Sequence, residues 1–185
     1  MTAIPALMHA TQVPRPFHTK GWVYEEKIDG WRMLAVKEAG RVRLVSRNGR
    51  DHTKRFHAIA ETLAALKPKT LTLDGEVAVS DSELVARFEW LRHINHGDFA
   101  TPPLFMVFDL LQLGEKDYRP EPLKVRRKAL EKLVKSQKAD PAGAAAQSER
   151  VGCVGGSAAS RLRGDRGRRT RSRLTWPGVP SDGSR

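Results

Sequence analysis

A chain of 185 residues with a formal net charge of +12 and a pI near 10.3 suits one domain with room for a tail. Its one cysteine, Cys153, excludes an intramolecular disulfide framework and a multi-cysteine zinc site. No apolar stretch approaches the ~20 residues that a membrane helix needs, so no membrane partner is expected.

The opening residues Met1–Ala10 lack a basic segment followed by an apolar run and do not read as a secretory signal. A reducing, cytoplasmic location is expected. The basic excess attracts phosphate backbones, and leaves open both a nucleic-acid partner and a merely soluble basic protein.

In chain order, Trp22 to Glu26 and Gly30 to Val36 read as extended segments around a short loop. Glu38-Ala39-Gly40 is a turn into Arg41–Val45, whose apolar residues alternate with period two. Phe56, Ile59, Ala60, Leu63 and Leu66 recur at helical spacing, and Pro68 stops that helix. Thr70 to Asp74 and Glu76 to Val79 alternate again, with an interruption at Gly75. Leu84 to Ile94 reads as a helix. Leu104 to Leu113 is an apolar run broken by Asp109, which predicts a strand buried on both faces. Leu123 to Lys135 is a basic amphipathic helix. The pattern predicts mainly antiparallel sheets flanked by helices, and no internal repeat is present.

From Ala139 onward the composition changes. Residues 1–138 carry 24 Lys+Arg against 17 Asp+Glu, whereas 139–185 carry nine Arg, no Lys and four acids. The second segment also holds eight of the 15 glycines and one aromatic residue, Trp176. Such a sequence buries too little apolar surface to offset its chain entropy, so a disordered tail is expected. It reads as an Arg-rich nucleic-acid-binding tail, as a linker, or as an out-of-frame product of GC-rich codons. The third reading is preferred, for a reason given below.

The chemistry concentrates at Lys27-Ile28-Asp29-Gly30-Trp31-Arg32. A lysine amine is a nucleophile only when deprotonated, and its reference pKa is ~10.4. It therefore needs cationic neighbours, a metal or partial burial. Glycine lets the backbone turn and approach a ligand closely. Taken alone, a lysine two residues before Asp-Gly reads as a surface hairpin. Three further short elements follow in series: Ser46-Arg47-Asn48-Gly49, Leu73-Asp74-Gly75-Glu76-Val77 and Phe105-Met106-Val107-Phe108-Asp109-Leu110. Singly they read as a turn, a turn between strands and a core strand.

Together they resemble the covalent nucleotidyltransferase superfamily of ATP-dependent DNA ligases, RNA ligases and capping enzymes, whose signature is Lys-x-Asp-Gly-x-Arg. With the lead-in Pro14–Phe17 and Gly21–Glu25, the chain looks most like the bacterial end-joining DNA ligases over about residues 5–135. The resemblance implies an α+β, ATP-grasp-like nucleotidyltransferase fold of antiparallel sheets flanked by helices. It would occupy residues 1–138, be incomplete, and carry the disordered tail 139–185.

The resemblance also implies roles. Lys27 would attack the α-phosphate of ATP and hold AMP for transfer to a DNA 5′-phosphate. Glu25 would accept from the adenine amino group, and Arg32 and Arg47 would contact ribose and phosphate oxygens. Glu76 would sit at the sugar and metal edge, and Phe108 would stack on adenine, with Phe105 in the core. Asp29 and Asp74 are read as ordering their own turns through backbone bonds. Mg²⁺ is implied with Glu76 as a hard oxygen ligand. Zinc is not expected, and the six histidines, His93 and His96 among them, read as ordinary surface or core residues. DNA is the expected partner of a monomer acting in repair and recombination.

The family pattern continues with Glu-Gly-x-Val-x-Lys, a lysine-bearing strand and an oligonucleotide-binding barrel, none of which occurs here. Glu131–Lys135 is one residue short, lacks the glycine and lies in a helical pattern. The composition changes just ahead of where those elements belong, hence the preference for an out-of-frame tail in a truncated chain. Slow or absent adenylation is then expected, since losing one charge-stabilising donor costs on the order of 10²–10³ in rate. Two other readings are kept: an RNA ligase or capping-type nucleotidyltransferase, and a non-catalytic basic protein that binds DNA through the helix at Leu123 to Lys135 and the tail.

Overall fold

A computed structural model describes residues 7, 23–25, 27–81, 86–93, 102–138, 151–153 and 174–176. They divide into two units, Met1–Lys27 with Gly155–Arg185, and Ile28–Val154. In the first unit, β1 (Val23–Glu25) pairs antiparallel with a strand at Leu174–Trp176.

The second unit is built on a six-stranded sheet. β2 (Trp31–Glu38) and β3 (Arg41–Ser46) form a hairpin whose two-residue turn places both Ala39 and Gly40 at positive φ, the twist that tight hairpins favour. α1 (His57–Ala64) packs on β2 and β3. β4 (Leu71–Ala78) returns to the other side of β2. A 3₁₀ segment (Phe88–His93) follows, and then β5 (Leu104–Leu113), which pairs with β4. The short β6 (Lys116–Asp117) and β7 (Val151–Cys153) pair with β5, β7 in parallel. α2 (Leu123–Lys138) packs on β5. The strand at Leu174–Trp176 is β8. Antiparallel pairing with helices against the sheet agrees with the expected α+β fold.

Alternate residues of the strands face one core. Met33, Ala35, Leu44, Leu71, Leu73, Val77, Phe105, Val107 and Leu110 join Ile59 and Leu63 of α1 and Leu130 and Leu133 of α2 there.

Three sequence expectations are corrected. Gly75 does not interrupt β4. It sits where a Cβ would lie 2.6 Å from Phe105 Cε2 and 2.7 Å from the Met106 carbonyl oxygen, so it marks a close approach inside one strand. β5 is buried on both faces only around Asp109 and Leu110; toward its start Leu104, Met106 and Phe108 are half-buried while Phe105 and Val107 are fully enclosed. The helix expected at Leu84 to Ile94 is described as 3₁₀ over Phe88–His93. Phe88 and buried Leu91, three apart, stack on one side as that tighter helix requires. Within 139–185 the described residues are Val151–Cys153 and Leu174–Trp176, both strands.

The lead-in at 14–17 and 21–22, residues 82–85 and 94–101, including His96, and the rest of the tail lie outside the described residues.

Candidate functional site

The site face of the second unit is assembled by adjacent strands. Arg32 on β2 is the cross-strand partner of Glu76 on β4. Its guanidinium reaches diagonally to Asp74, two residues along β4, with Nε donating to Oδ1 at 3.1 Å and Nη2 to Oδ2 at 2.7 Å. Bidentate pairing fixes a planar guanidinium in orientation as well as place. The Asp74 side chain is only 5% exposed. Burial pushes its carboxyl above the ordinary carboxylate value, against the pull of the Arg32 hydrogen bonds and charge.

Phe108 is brought to the same place by an irregularity in the ladder. Gly75 pairs with Val107 and Asp74 with Asp109, so the register shift falls at Phe108 and sets it in a bulge. Such bulges re-aim side chains beside functional sites. The Arg32 guanidinium carbon lies 5.6 Å from the Phe108 ring centroid, within cation–π range.

Arg47 lies at the tip of the turn after β3. Gly49 N–H donates to the Ser46 carbonyl at 2.9 Å, and Gly49 takes φ 76°, the left-handed geometry that glycine accepts without strain. Met33 pairs with Ser46, so Arg32 and Arg47, one residue further on each strand, lie at the same end of the sheet. Arg47 is exposed.

Arg32, Glu76 and Phe108 are therefore brought together on β2, β4 and β5, with Arg47 at the neighbouring turn. Lys27 and Glu25 belong to the first unit. Lys27 is exposed, and only Ile28, Asp29 and Gly30 separate it from β2. Glu25 is the last residue of β1 and pairs with Leu174. Phe105 is in the core, as expected.

The expected role of Asp74 is corrected. It lies inside a strand, not at a turn; its carboxylate does accept from the Gly75 backbone N–H, as expected, but also serves as the counter-charge of Arg32. Sequence reasoning also assigned no role to Asp109 or Arg126, which form a second forked ion pair at 2.8 Å. The available signal was Asp109 itself, a charge within an apolar run, since a buried carboxylate requires a cation.

Trp31 packs on the opposite side of β2 from Arg32. It meets His52 and Phe56 edge-on, and the Arg55 guanidinium lies 5.0 Å from its ring.

This face presents a planar donor suited to oxygen-rich ligands, an aromatic ring for a flat base, and the Glu76 carboxylate. Among the described residues no group of three or more His, Cys, Asp or Glu is placed to hold a metal. The donor set fits Mg²⁺ rather than zinc, because Mg²⁺ is commonly held by one or two carboxylates together with phosphate oxygens and water.

The family model for the ATP-dependent DNA ligase domain matches residues 4–151. The chain belongs to the ATP-dependent DNA ligase family. Among its ligase relatives, the multifunctional non-homologous end joining protein LigD of Pseudomonas aeruginosa is 37% identical over 120 residues, 65% of this chain and 14% of that protein. DNA ligase C1 of Mycolicibacterium smegmatis is 32% identical over 146 residues, 73% of this chain and 42% of the relative. The chain thus spans less than half the length of these ligases.

Among solved structures, the ligase domain of M. tuberculosis LigD aligns with TM-score 0.56 at 34% identity, covering 62% of this chain and 38% of that one. A mycobacterial DNA ligase D complexed with ATP and MES aligns with TM-score 0.55 at 32% identity, covering 72% and 40%. The antiparallel sheet is thus that of a ligase nucleotidyltransferase domain.

Proposed function

We propose that this chain carries the nucleotide-binding face of a DNA ligase adenylation domain, with Lys27 as the residue that takes AMP from ATP for sealing nicks or ends in DNA repair and recombination. Phe108 stacks on adenine and Glu25 accepts from its amino group. Arg32 and Arg47 donate to ribose and phosphate oxygens, and Glu76 holds the sugar edge and Mg²⁺. The observation that carries this reading is the Arg32 guanidinium, fixed by Asp74 and set against Phe108, with Glu76 opposite it on the next strand. Family membership supports it independently.

In the step itself, the deprotonated Nζ of Lys27 attacks the α-phosphorus. The new N–P bond forms as the bond from that phosphorus to the bridging oxygen breaks, and its electron pair leaves with pyrophosphate. The amine proton passes to solvent. Arg32 and Arg47 hold the phosphate charge during the exchange. When bound, Mg²⁺ neutralises part of the triphosphate.

The chain is proposed to act as a monomer on DNA in the cytoplasm. Among the described residues no helix is long and apolar enough to cross a membrane.

The test is incubation with Mg²⁺ and ATP labelled at the α-phosphate, with GTP as a parallel substrate. Slow labelling from ATP, retained on the native chain and absent from Lys27→Ala, is expected. No label on either protein would mark a truncated, inactive domain without refuting the family. Equal label on both proteins would remove Lys27 as the nucleophile, and label from GTP in preference to ATP would favour a capping-type enzyme.

A further inference from the structure

Arg126, in the first turn of α2, forks onto Asp109 of β5. Nε donates to Oδ1 and Nη2 to Oδ2, each at 2.8 Å, while Nη1 donates to the Glu121 carbonyl at 2.6 Å. The two side chains are 12% and 9% exposed. Asp109 Oδ1 also accepts from the Leu110 backbone N–H. This carboxylate is therefore tightly held.

Its neighbour across the ladder is Asp74. Residues directly opposite in an antiparallel pair carry their Cβ atoms about 4.5–5.5 Å apart. Two buried carboxylates at that spacing repel strongly unless each has its own cation. Here each does: Arg32 holds Asp74, and Arg126 holds Asp109. Four charges cancel pairwise along a line from β2 through β4 and β5 to α2. Asp109 also directly follows Phe108, where the register shifts, so anchoring Asp109 anchors the bulge.

We propose that Arg126 is a positioning residue for the nucleotide face: by satisfying Asp109 it leaves Arg32 committed to Asp74 and set against Phe108. The geometric part stands alone, and its consequence for ATP rests on the role proposed above for Arg32. Without the Arg126 charge, Asp109 becomes an uncompensated buried carboxylate beside Asp74. Arg32 is then drawn between two acids and leaves its fork.

The readout is the Arg32 Nε–H signal in the ¹⁵N-labelled full chain, identified by its loss in Arg32→Lys. In Arg126→Gln this proton is expected to exchange with water about tenfold faster, and the dissociation constant for ATP to rise about tenfold. Adding Asp109→Asn removes the second carboxylate and should return both quantities to within about twofold of the native chain. Packing alone would not produce that rescue.

An unmoved Arg32 signal in Arg126→Gln overturns the proposal, and so does a folded double variant that still lacks it. If Arg126→Gln does not fold, the double variant decides. A native Arg32 signal there supports the proposal, and failure of both to fold contradicts it. An Arg32 signal that responds as expected while ATP affinity stays constant leaves the charge relay standing and refutes Arg32 as an ATP contact.

Discussion

At Gly30 an added Cβ would overlap the Val77 carbonyl oxygen and lie 2.8 Å from Glu76 Cγ. Gly30 is not among the glycines with positive φ, so close approach to β4, and not turn geometry, already requires the motif's glycine. Gly30→Ala should push the start of β2 away from β4. A loss of about 1–3 kcal/mol is expected from such overpacking, with adenylation reduced at least about tenfold, because Lys27 lies three residues upstream. Denaturant unfolding and labelling measure the two effects, and native values for both would contradict the packing account.

His52 titrates in the opposite sense from a stabilising salt bridge. Burial pushes its imidazole below the ordinary 6.5, and the charges of Arg55 and Arg50 act the same way. The unfolded chain therefore takes up the proton first as pH falls. The stability contributed by the neutral ring is full above about pH 6.5 and is lost as pH drops through the depressed folded value. His52→Phe keeps a ring against Trp31 and Phe56 and lacks this dependence. Thermal midpoints from about pH 7.5 to about pH 5 should fall more steeply for the native chain than for the variant. Parallel slopes would exclude His52 as the cause.

Short motifs name the residues proposed to meet a ligand, and the placement of three of them was legible: Arg32, Glu76 and Phe108 lie together as the series implies. Their counter-charges were harder to read. Asp74 resembled a turn residue because it precedes glycine, and only strand register reveals it as the diagonal neighbour of Arg32. Arg126 is 17 residues from Asp109, and no local pattern links them.

Among the elements, α1 ends in an arrangement that no periodicity signals. Lys37, 3% exposed, extends from β2 and donates to the carbonyls of Leu63, Ala64 and Leu66 at 3.2, 2.7 and 2.6 Å. These acceptors lie at the C-terminal end of the helix, where cations are favoured. Burial lowers the lysine pKa, and the three carbonyls favour the charged form. Lys37→Met keeps the apolar stem and orphans those acceptors, so a loss of about 1–3 kcal/mol is expected in the unfolding free energy. A variant within about 0.5 kcal/mol of native would mean that water replaces the cap.

Elements with a strong period were legible: β3, the α1 region and α2 fall where alternation or helical spacing put them. The exceptions are physical. Gly75 looks like a break from sequence and is a point of close packing in three dimensions. Apolar residues three apart, as at Phe88 and Leu91, suit a 3₁₀ turn as well as an α-helix. The Arg55 guanidinium closes that turn by donating to the carbonyls of Leu91 and Arg92.

Across the whole molecule the net charge of +12 bears on the proposed DNA partner. Lys124, Lys128, Lys132 and Lys135 are exposed on α2 and recur at spacings of three and four, which aligns them on one side of a helix. If α2 follows a phosphate backbone, replacing these four lysines by glutamine lowers the slope of log affinity against log salt by up to about 0.9 for each phosphate no longer neutralised. An unchanged slope would place the DNA elsewhere.

The sheet itself was legible as a class, because alternating segments and the motif series agree. Pairing order was not, since β4 returns beside β2 and β5 beside β4 through pairing between segments distant in sequence.

The most direct measurement of the central claim is the location of the nucleotide on the ATP-treated chain, by proteolysis and mass spectrometry. An AMP adduct is expected on the peptide containing Lys27, joined through nitrogen and released by mild acid. An adduct carried instead by a different lysine or a histidine, with the Lys27 peptide unmodified, would contradict it.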